Sequence, residues 1–398
     1  MITIYIPTVR FNKFNKEWFS KKLGLVSKVT MGQSPDSKNY TDNPNDYILV
    51  QGNADMKNCR VVPRVWTTQV TKLAEKGDLI LSVRAPVGDI GKTDYTVVLG
   101  RGVAAIKGNE FLFQLLTKMK QSHYWSKLST GSTFESINSN DIKSAEIYLP
   151  SKEEQSAIGS LFYTLDDLLA SYKDNLANYQ SLKTTMLSKM FPKAGEAVPE
   201  IRLDGFKSEW EINKLNKYLT VSKQKNTQLK FDKEDVLSVS GEFGIINQIQ
   251  FQGRSFAGAS VEMYSIVDTG NIVYTKSPLK ANPYGIIKTN YGIPGIVSTL
   301  YAVYLPNENV FPGFVERYFE NDLRLNSYLK PLVNKGAKND MKVSDENALL
   351  GAVIFPQLEE QVAISDYFTN LDKFIQSHKD KISQLETLKK KLLQDMFI

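Results

Sequence analysis

The sequence predicts an α+β chain. Two mixed α/β modules are separated and joined by two long helices that pair as an antiparallel coiled coil, giving an internal pseudo-two-fold repeat. Three observations predict this. Residues 150–191 and 356–397 align without a gap at a constant offset of 206 (356 − 150 and 397 − 191), with 17 of 42 positions identical. A shorter echo precedes each copy: Arg10, Phe14, Glu17-Trp18 and Lys22-Leu23 recur as Arg202, Phe206, Glu209-Trp210 and Lys214-Leu215, offset by 192. Both long segments also carry apolar residues at steps of three and four, the period of a helix seam. Duplication at this scale sets the architecture before any local reading.

The resulting plan is a first module over 1–149, a central helix over 150–191, a linker over 192–200, a second module over 201–355 and a C-terminal helix over 356–398. The linker, Pro192 to Glu200, carries two prolines, a glycine and two alanines, a composition that returns the chain without adding a core. The first seam runs through Ile158, Phe162, Leu165 and Leu169, and the second through Ile364, Phe368, Leu371 and Ile375. Ser151 precedes Glu154 by three residues, the spacing of a capping box. Lys183 and Lys389 hold the same seam position in both copies. Such a lysine either fixes the pairing register or snorkels its amine to water.

Within the modules, 24–136 and 216–342 have diverged. Asp78 to Arg84 reads as a strand entering the turn Ala85-Pro86-Val87-Gly88, and Asn271 to Lys276 reads likewise before Ser277-Pro278. Gly77 and Gly270 supply the preceding turns. Helical stretches are expected over 110–129 and 312–332.

Composition limits the function classes. Of 398 residues, 42% are hydrophobic and 11% aromatic, ample for packed cores. The charge balance of +6 (49 − 43) is mildly basic and compatible with a polyanion. One cysteine, Cys59, forms no internal disulfide, and with only His123 and His378 beside it no Cys/His zinc site is expected. No apolar run approaches the length of a membrane span and no signal peptide is read, so a cytoplasmic location is expected.

Candidate contacts for nucleic acid are Gln33, Ser34, Asn53, Lys57, Arg60, Arg84 and Arg101 in the first module. In the second they are Arg254, Ser255, Lys276, Lys280, Asn282, Tyr284 and Lys288. These residue types suit the task because Arg and Lys bridge guanine edges, Asn and Gln read adenine, and cations hold phosphates. Catalytic motifs fall short. Gly91-Lys92-Thr93 ends a phosphate-loop pattern whose first glycine is Pro86, which lacks an N–H. Asp36, Asp55 and Lys57 loosely match a metal nuclease. Asn282-Pro283-Tyr284 lacks the second proline of the amino-methyltransferase tetrapeptide, and no glycine-rich cofactor loop follows a strand. No catalytic residue, metal site or cofactor of its own is expected for this chain.

The chain resembles the specificity subunit of type I restriction–modification enzymes. The carriers are the paired Leu149-Pro150 and Phe355-Pro356 starts with Glu-Glu-Gln and Ala-Ile following at 153–158 and 359–364. Others are Gly32-Gln33-Ser34-Pro35, the run Ser82 to Gly88, Gly100-Arg101-Gly102 and Ser129 to Phe134. The second module departs: Lys335-Gly336-Ala337-Lys338 replaces the Ser-Thr-Gly run, and Lys276-Ser277-Pro278 replaces Arg-Ala-Pro.

The resemblance implies a non-catalytic, sequence-specific DNA-recognition subunit. Each module would be a target-recognition domain reading one half of a bipartite, asymmetric double-stranded site. The helices would set the spacer and dock two methyltransferase (modification) subunits, with motor-nuclease (restriction) subunits added for cleavage. S-adenosylmethionine, ATP and Mg2+ would belong to those partners. The competing reading is a coiled-coil scaffold or adaptor whose modules bind proteins, which salt dependence separates from phosphate binding.

Overall fold

A computed structural model describes residues 6–128, 135–193, 195–276, 278–333 and 343–398. The Ser129 to Phe134 run, Ser277 and the Lys335 to Lys338 run lie outside the described residues. The architecture is mixed α/β. The chain divides into two units: Met1–Asp174 with Asp380–Ile398, and Asn175–Lys379. Both divisions fall inside the long helices, which run over Lys152–Lys189 and Leu358–Asp395.

In the first unit, Leu79–Ser82 and Val103–Ile106 are buried at every position, as expected for strands covered on both faces. They are central in a six-stranded sheet ordered Val29–Met31, Val103–Ile106, Leu79–Ser82, Ile90–Lys92, Arg60–Val61, Met56–Lys57. A five-stranded sheet built on Tyr47–Val50 and Val97–Leu99 lies beside it, and Val50, Ile80, Val97 and Val103 share one core cluster. In the second unit the corresponding sheet has four strands, Leu219–Val221, Tyr301–Pro306, Ile272–Thr275 and Ile286–Thr289. Gly77 and Gly270 both adopt positive φ at the turn before the buried strand.

The repeated frame closes identically in each unit. Phe19–Lys22 pairs antiparallel with Glu146–Leu149, and Glu211–Lys214 pairs with Ala352–Phe355 in the same register. Arg10 grips Glu154 through both guanidinium arms at 2.6 Å, and Arg202 grips Glu360 at 2.8 and 2.7 Å. Each arginine also donates to a backbone carbonyl six residues on, Lys16 and Ser208. These bonds hold the Arg202 guanidinium charged, raising its pKa, chiefly through the hydrogen bond to Glu360.

All eight seam residues are buried. Within the first unit the two helical stretches run antiparallel: Lys389 pairs with Asp166, Lys173 with Glu386 at 2.7 Å, and the Phe162 and Phe397 rings sit 5.7 Å apart. Within the second unit Lys183 meets Asp372 at 2.6 Å and Tyr179 stacks on Phe374 at 5.8 Å. The ends are anchored alike. Phe397 packs on Trp18 and Phe111, and Phe191 packs on Trp210 and Phe314.

Three local expectations need correction. The 110–129 stretch is two helices, Glu110–Gln121 and Tyr124–Leu128, split at His123, whose φ of 57° no helix interior allows. The 312–332 stretch breaks likewise into Pro312–Phe319, Asp322–Leu329 and a short 3-10 turn, because the Asn321 side chain caps the second piece by accepting from the Arg324 N–H. The capping box is half formed. Ser151 Oγ accepts from the Glu154 N–H at 3.3 Å, but the Glu154 carboxylate is taken by Arg10. Among the described residues no helix is long and apolar enough to cross a membrane.

Candidate nucleic-acid interface

In the first unit three separate sequence segments converge at the Ser82 end of the buried strand. The Gly32 N–H bonds to the Val103 carbonyl, the Gln33 N–H to that of Leu99 at 2.8 Å, and the Arg101 N–H to Ser34 Oγ at 3.1 Å. The Val83 N–H bonds to the Gly102 carbonyl at 2.8 Å, bringing Arg84 to the same edge. Glycine is needed for this approach: a Cβ on Gly32 would lie 2.0 Å from the Gly100 carbonyl oxygen, and one on Gly102 2.1 Å from that of Gln51. Gln33, Arg84 and Arg101 remain exposed, while Ser34 and Asn53 are half-buried beside them.

Lys57 and Arg60 do not join this group. They occupy a hairpin turning at Asn58 and Cys59, both at positive φ, at the sheet edge. Arg60 is registered with Lys92, which pairs with Leu79, so it lies at the opposite end of the strand from Arg84. There it bonds Asp94 at 2.7 Å. Sequence reasoning missed Gln51 and Tyr40, which belong to the convergent group: Gln51 donates to the Tyr40 hydroxyl at 2.9 Å. The Gly100-x-Gly102 pair was the available signal, since both glycines exist to admit the Gln51 backbone.

In the second unit the candidate loop joins Ile272–Thr275 to Ile286–Thr289. It is braced at its middle: Asn282 donates to Asp322 at 2.8 Å and Asn326 donates to the Ala281 carbonyl at 3.0 Å. Lys280, immediately before those braces, is exposed. Lys276 bonds Asp345 at 2.8 Å, and half-buried Tyr284 accepts from the Tyr274 hydroxyl through its carbonyl. Arg254 is exposed, its guanidinium 4.5 Å from the Phe256 ring, and Ser255 Oγ caps the Ala257 N–H.

Two candidates are corrected. Lys288 is buried with its amine 3.2 Å from Glu316, and Asn282 is 7% exposed with its amide turned to Asp322. Neither faces solvent: every position of Ile286–Thr289 is buried, so the Lys288 amine needs an internal partner, and the Asn282 amide N–H lies against Asp322.

The motifs with catalytic overtones have structural uses. Lys92 ion-pairs with Glu110 and lies 4.2 Å over the Phe113 ring, within a strand rather than at a helix start. Asp55 is buried and accepts from the Gln51 and Gly52 N–H groups, and Asp36 caps the Lys38 N–H. Among the described residues no group of three or more His, Cys, Asp or Glu is placed to hold a metal ion.

Comparison with known proteins finds relatives for part of the chain. Residues 15–179 match the type I restriction modification DNA specificity domain. The match covers most of the first module and of the first long helix, 165 of the 398 residues (179 − 15 + 1). A Methanocaldococcus jannaschii protein named for the MjaX type I restriction enzyme specificity subunit is 35% identical over 162 residues, 39% of this chain and 38% of the relative. The MjaIX specificity subunit of the same organism is 27% identical over 234 residues, 54% of each. The matched stretches thus span about four-tenths to half of those specificity subunits. In fold, the chain is similar to a type I restriction-modification S subunit from M. genitalium, with TM-score 0.64, 16% identity and 99% of both chains covered.

Proposed function

We propose that this chain is the DNA-recognition subunit of a type I restriction–modification complex, without catalysis of its own. Each variable region, within 1–149 and 201–355, reads one half of a bipartite asymmetric duplex site. The two long helices act as one antiparallel coiled coil that sets the spacer and docks two modification subunits. Restriction subunits join for cleavage, and S-adenosylmethionine, ATP and Mg2+ are used by those partners.

The observation carrying this reading is one frame built twice around unlike loops. The Arg–Glu clasp, strand register and Trp/Phe anchor recur in both units. By contrast, the exposed groups differ, with Gln33, Arg84 and Arg101 in one unit and Lys280 and Arg254 in the other. A frame kept constant around different polar loops suits two readers of different base sequence. The test is to assemble the chain with modification subunits, expose genomic DNA, and map methylated adenines. One split motif with a fixed gap is expected. DNA affinity that does not fall with added salt, together with no motif, favours the protein-binding scaffold and removes the proposal.

A further inference from the structure

Each unit contains a line of buried and half-buried polar side chains that leaves the sheet and ends on both long helices. In the first unit Lys92, on the strand Ile90–Lys92, pairs with Glu110. Gln114, 0% exposed, then donates both to Glu110 at 2.9 Å and to Asp166 at 2.8 Å. Asp166 lies on the first long helix and pairs with Lys389 of the second. In the second unit Lys288, on Ile286–Thr289, pairs with Glu316. The next residue, Arg317, bonds Asp372 at 2.7 Å and Glu320 at 2.8 Å, and Lys183 closes the set on the same two carboxylates.

The two lines are cognate. Gln114 and Arg317 each stand three residues after the phenylalanine, Phe111 or Phe314, that packs against the helix-end anchor. Both lines are also charge-neutral: Lys92, Glu110, Asp166 and Lys389 balance, as do Lys288, Arg317, Lys183 against Glu316, Glu320 and Asp372. Apolar packing alone leaves a helix free to slide or rotate among near-equivalent arrangements. A buried bonded network does not, because any shift strands a charge or an amide. Both bonds from the Gln114 amide nitrogen are already committed, so a shift of Asp166 leaves a buried N–H without its acceptor.

We infer that these lines are positioning devices, and that Gln114 with Asp166–Lys389, and Arg317 with Asp372–Lys183, fix the orientation of each recognition module on the helices that carry it. Resting on the DNA-reading function proposed above, the inference assigns them the strictness of the spacer rather than the choice of bases.

The test uses the full chain with its modification subunits. Nitroxides at Asn45→Cys and Ala170→Cys, in a Cys59→Ser background, report the first module against its helix without DNA. Asp166→Asn and Gln114→Leu should each broaden that distance distribution. They should also raise methylation at spacers one base pair off by about tenfold relative to the preferred one, the factor one charge-assisted hydrogen bond carries. Base preference in both half-sites should stay unchanged. Asp166→Glu, which keeps a carboxylate for both Gln114 and Lys389, should retain the narrow distribution and strict spacing. An unbroadened distribution in both Asp166→Asn and Gln114→Leu overturns the positioning role. Broadening with an unchanged spacer ratio, or with altered base preference, overturns its link to spacing. Broadening when even the unmutated complex prefers no spacer upholds the positioning and removes the DNA reading beneath it.

Discussion

Lys183 Nζ lies 2.6 Å from Asp372 Oδ1, joining one long helix to the other within the second unit. The same contact recurs in the first unit as Lys389 on Asp166, displaced by the repeat interval (389 − 183 and 372 − 166 are both 206). The lysine is therefore a paired seam residue, not a snorkelling one, with about a fifth of its side chain exposed in either copy. A charge pair inside an apolar seam costs desolvation, so its role is to choose one alignment.

The Arg202–Glu360 clasp predicts a large stability effect. Arg202→Ala leaves the Glu360 carboxylate, 3% exposed, without its partner, at a cost of about 3–5 kcal/mol. Arg202→Lys keeps the charge but loses the two-armed geometry, giving a smaller loss. Urea unfolding followed by tryptophan fluorescence checks this, and Arg10→Ala should behave alike in the first unit.

Acid should weaken the second unit through Glu320. Burial alone would raise its carboxyl, but Arg317 and Lys183 outweigh burial and hold its pKa below the ordinary value. A carboxylate with a lowered folded pKa contributes stability that is present above its unfolded pKa, near about 4.3, and is lost as pH falls through the lower folded value. Unfolding midpoints measured downward from pH 6 should therefore fall less steeply for Glu320→Gln than for the unmutated chain below about pH 4.3.

Two glycines with similar backbone angles should respond differently to alanine. Gly285 has φ 96° and a Cβ there would lie 1.7 Å from the Thr275 carbonyl oxygen. Gly270 has φ 87° with open space around it. Thermal unfolding should show Gly285→Ala losing more than about 2 kcal/mol and Gly270→Ala about 1 kcal/mol.

Cations of the two modules should separate by burial. Arg101→Ala, at an exposed and convergent position, should weaken duplex binding about tenfold and lower the salt slope by about one. Lys288→Met should leave that slope alone and act on stability, since its amine is held by Glu316. Binding titrations at several salt concentrations distinguish the two; a slope change for Lys288→Met would contradict its placement.

Replacing residues 24–136 by the corresponding region of another such chain should change one half-site only. Methylome sequencing reads both halves together, and a change in both would show that the modules do not read independently.

The sequence by itself determined the duplication, the two helices and their seam, because periodicity and repetition are written along the chain and helical burial follows from spacing. It also marked Gly32, Gly100 and Gly102, although their reason, backbone approaching backbone, is visible only when folded. Tertiary structure decided which charged groups are surface and which are interior. Lys288 and Lys280 look alike in sequence, yet one meets Glu316 in the core and the other meets water. It likewise sent Glu154 to Arg10 rather than to its own helix cap. Those outcomes depend on partners more than a hundred residues away for Arg10 and 28 for Lys288. A side chain's type fixes what it can bond, but only the fold fixes which partner arrives and whether water remains to compete.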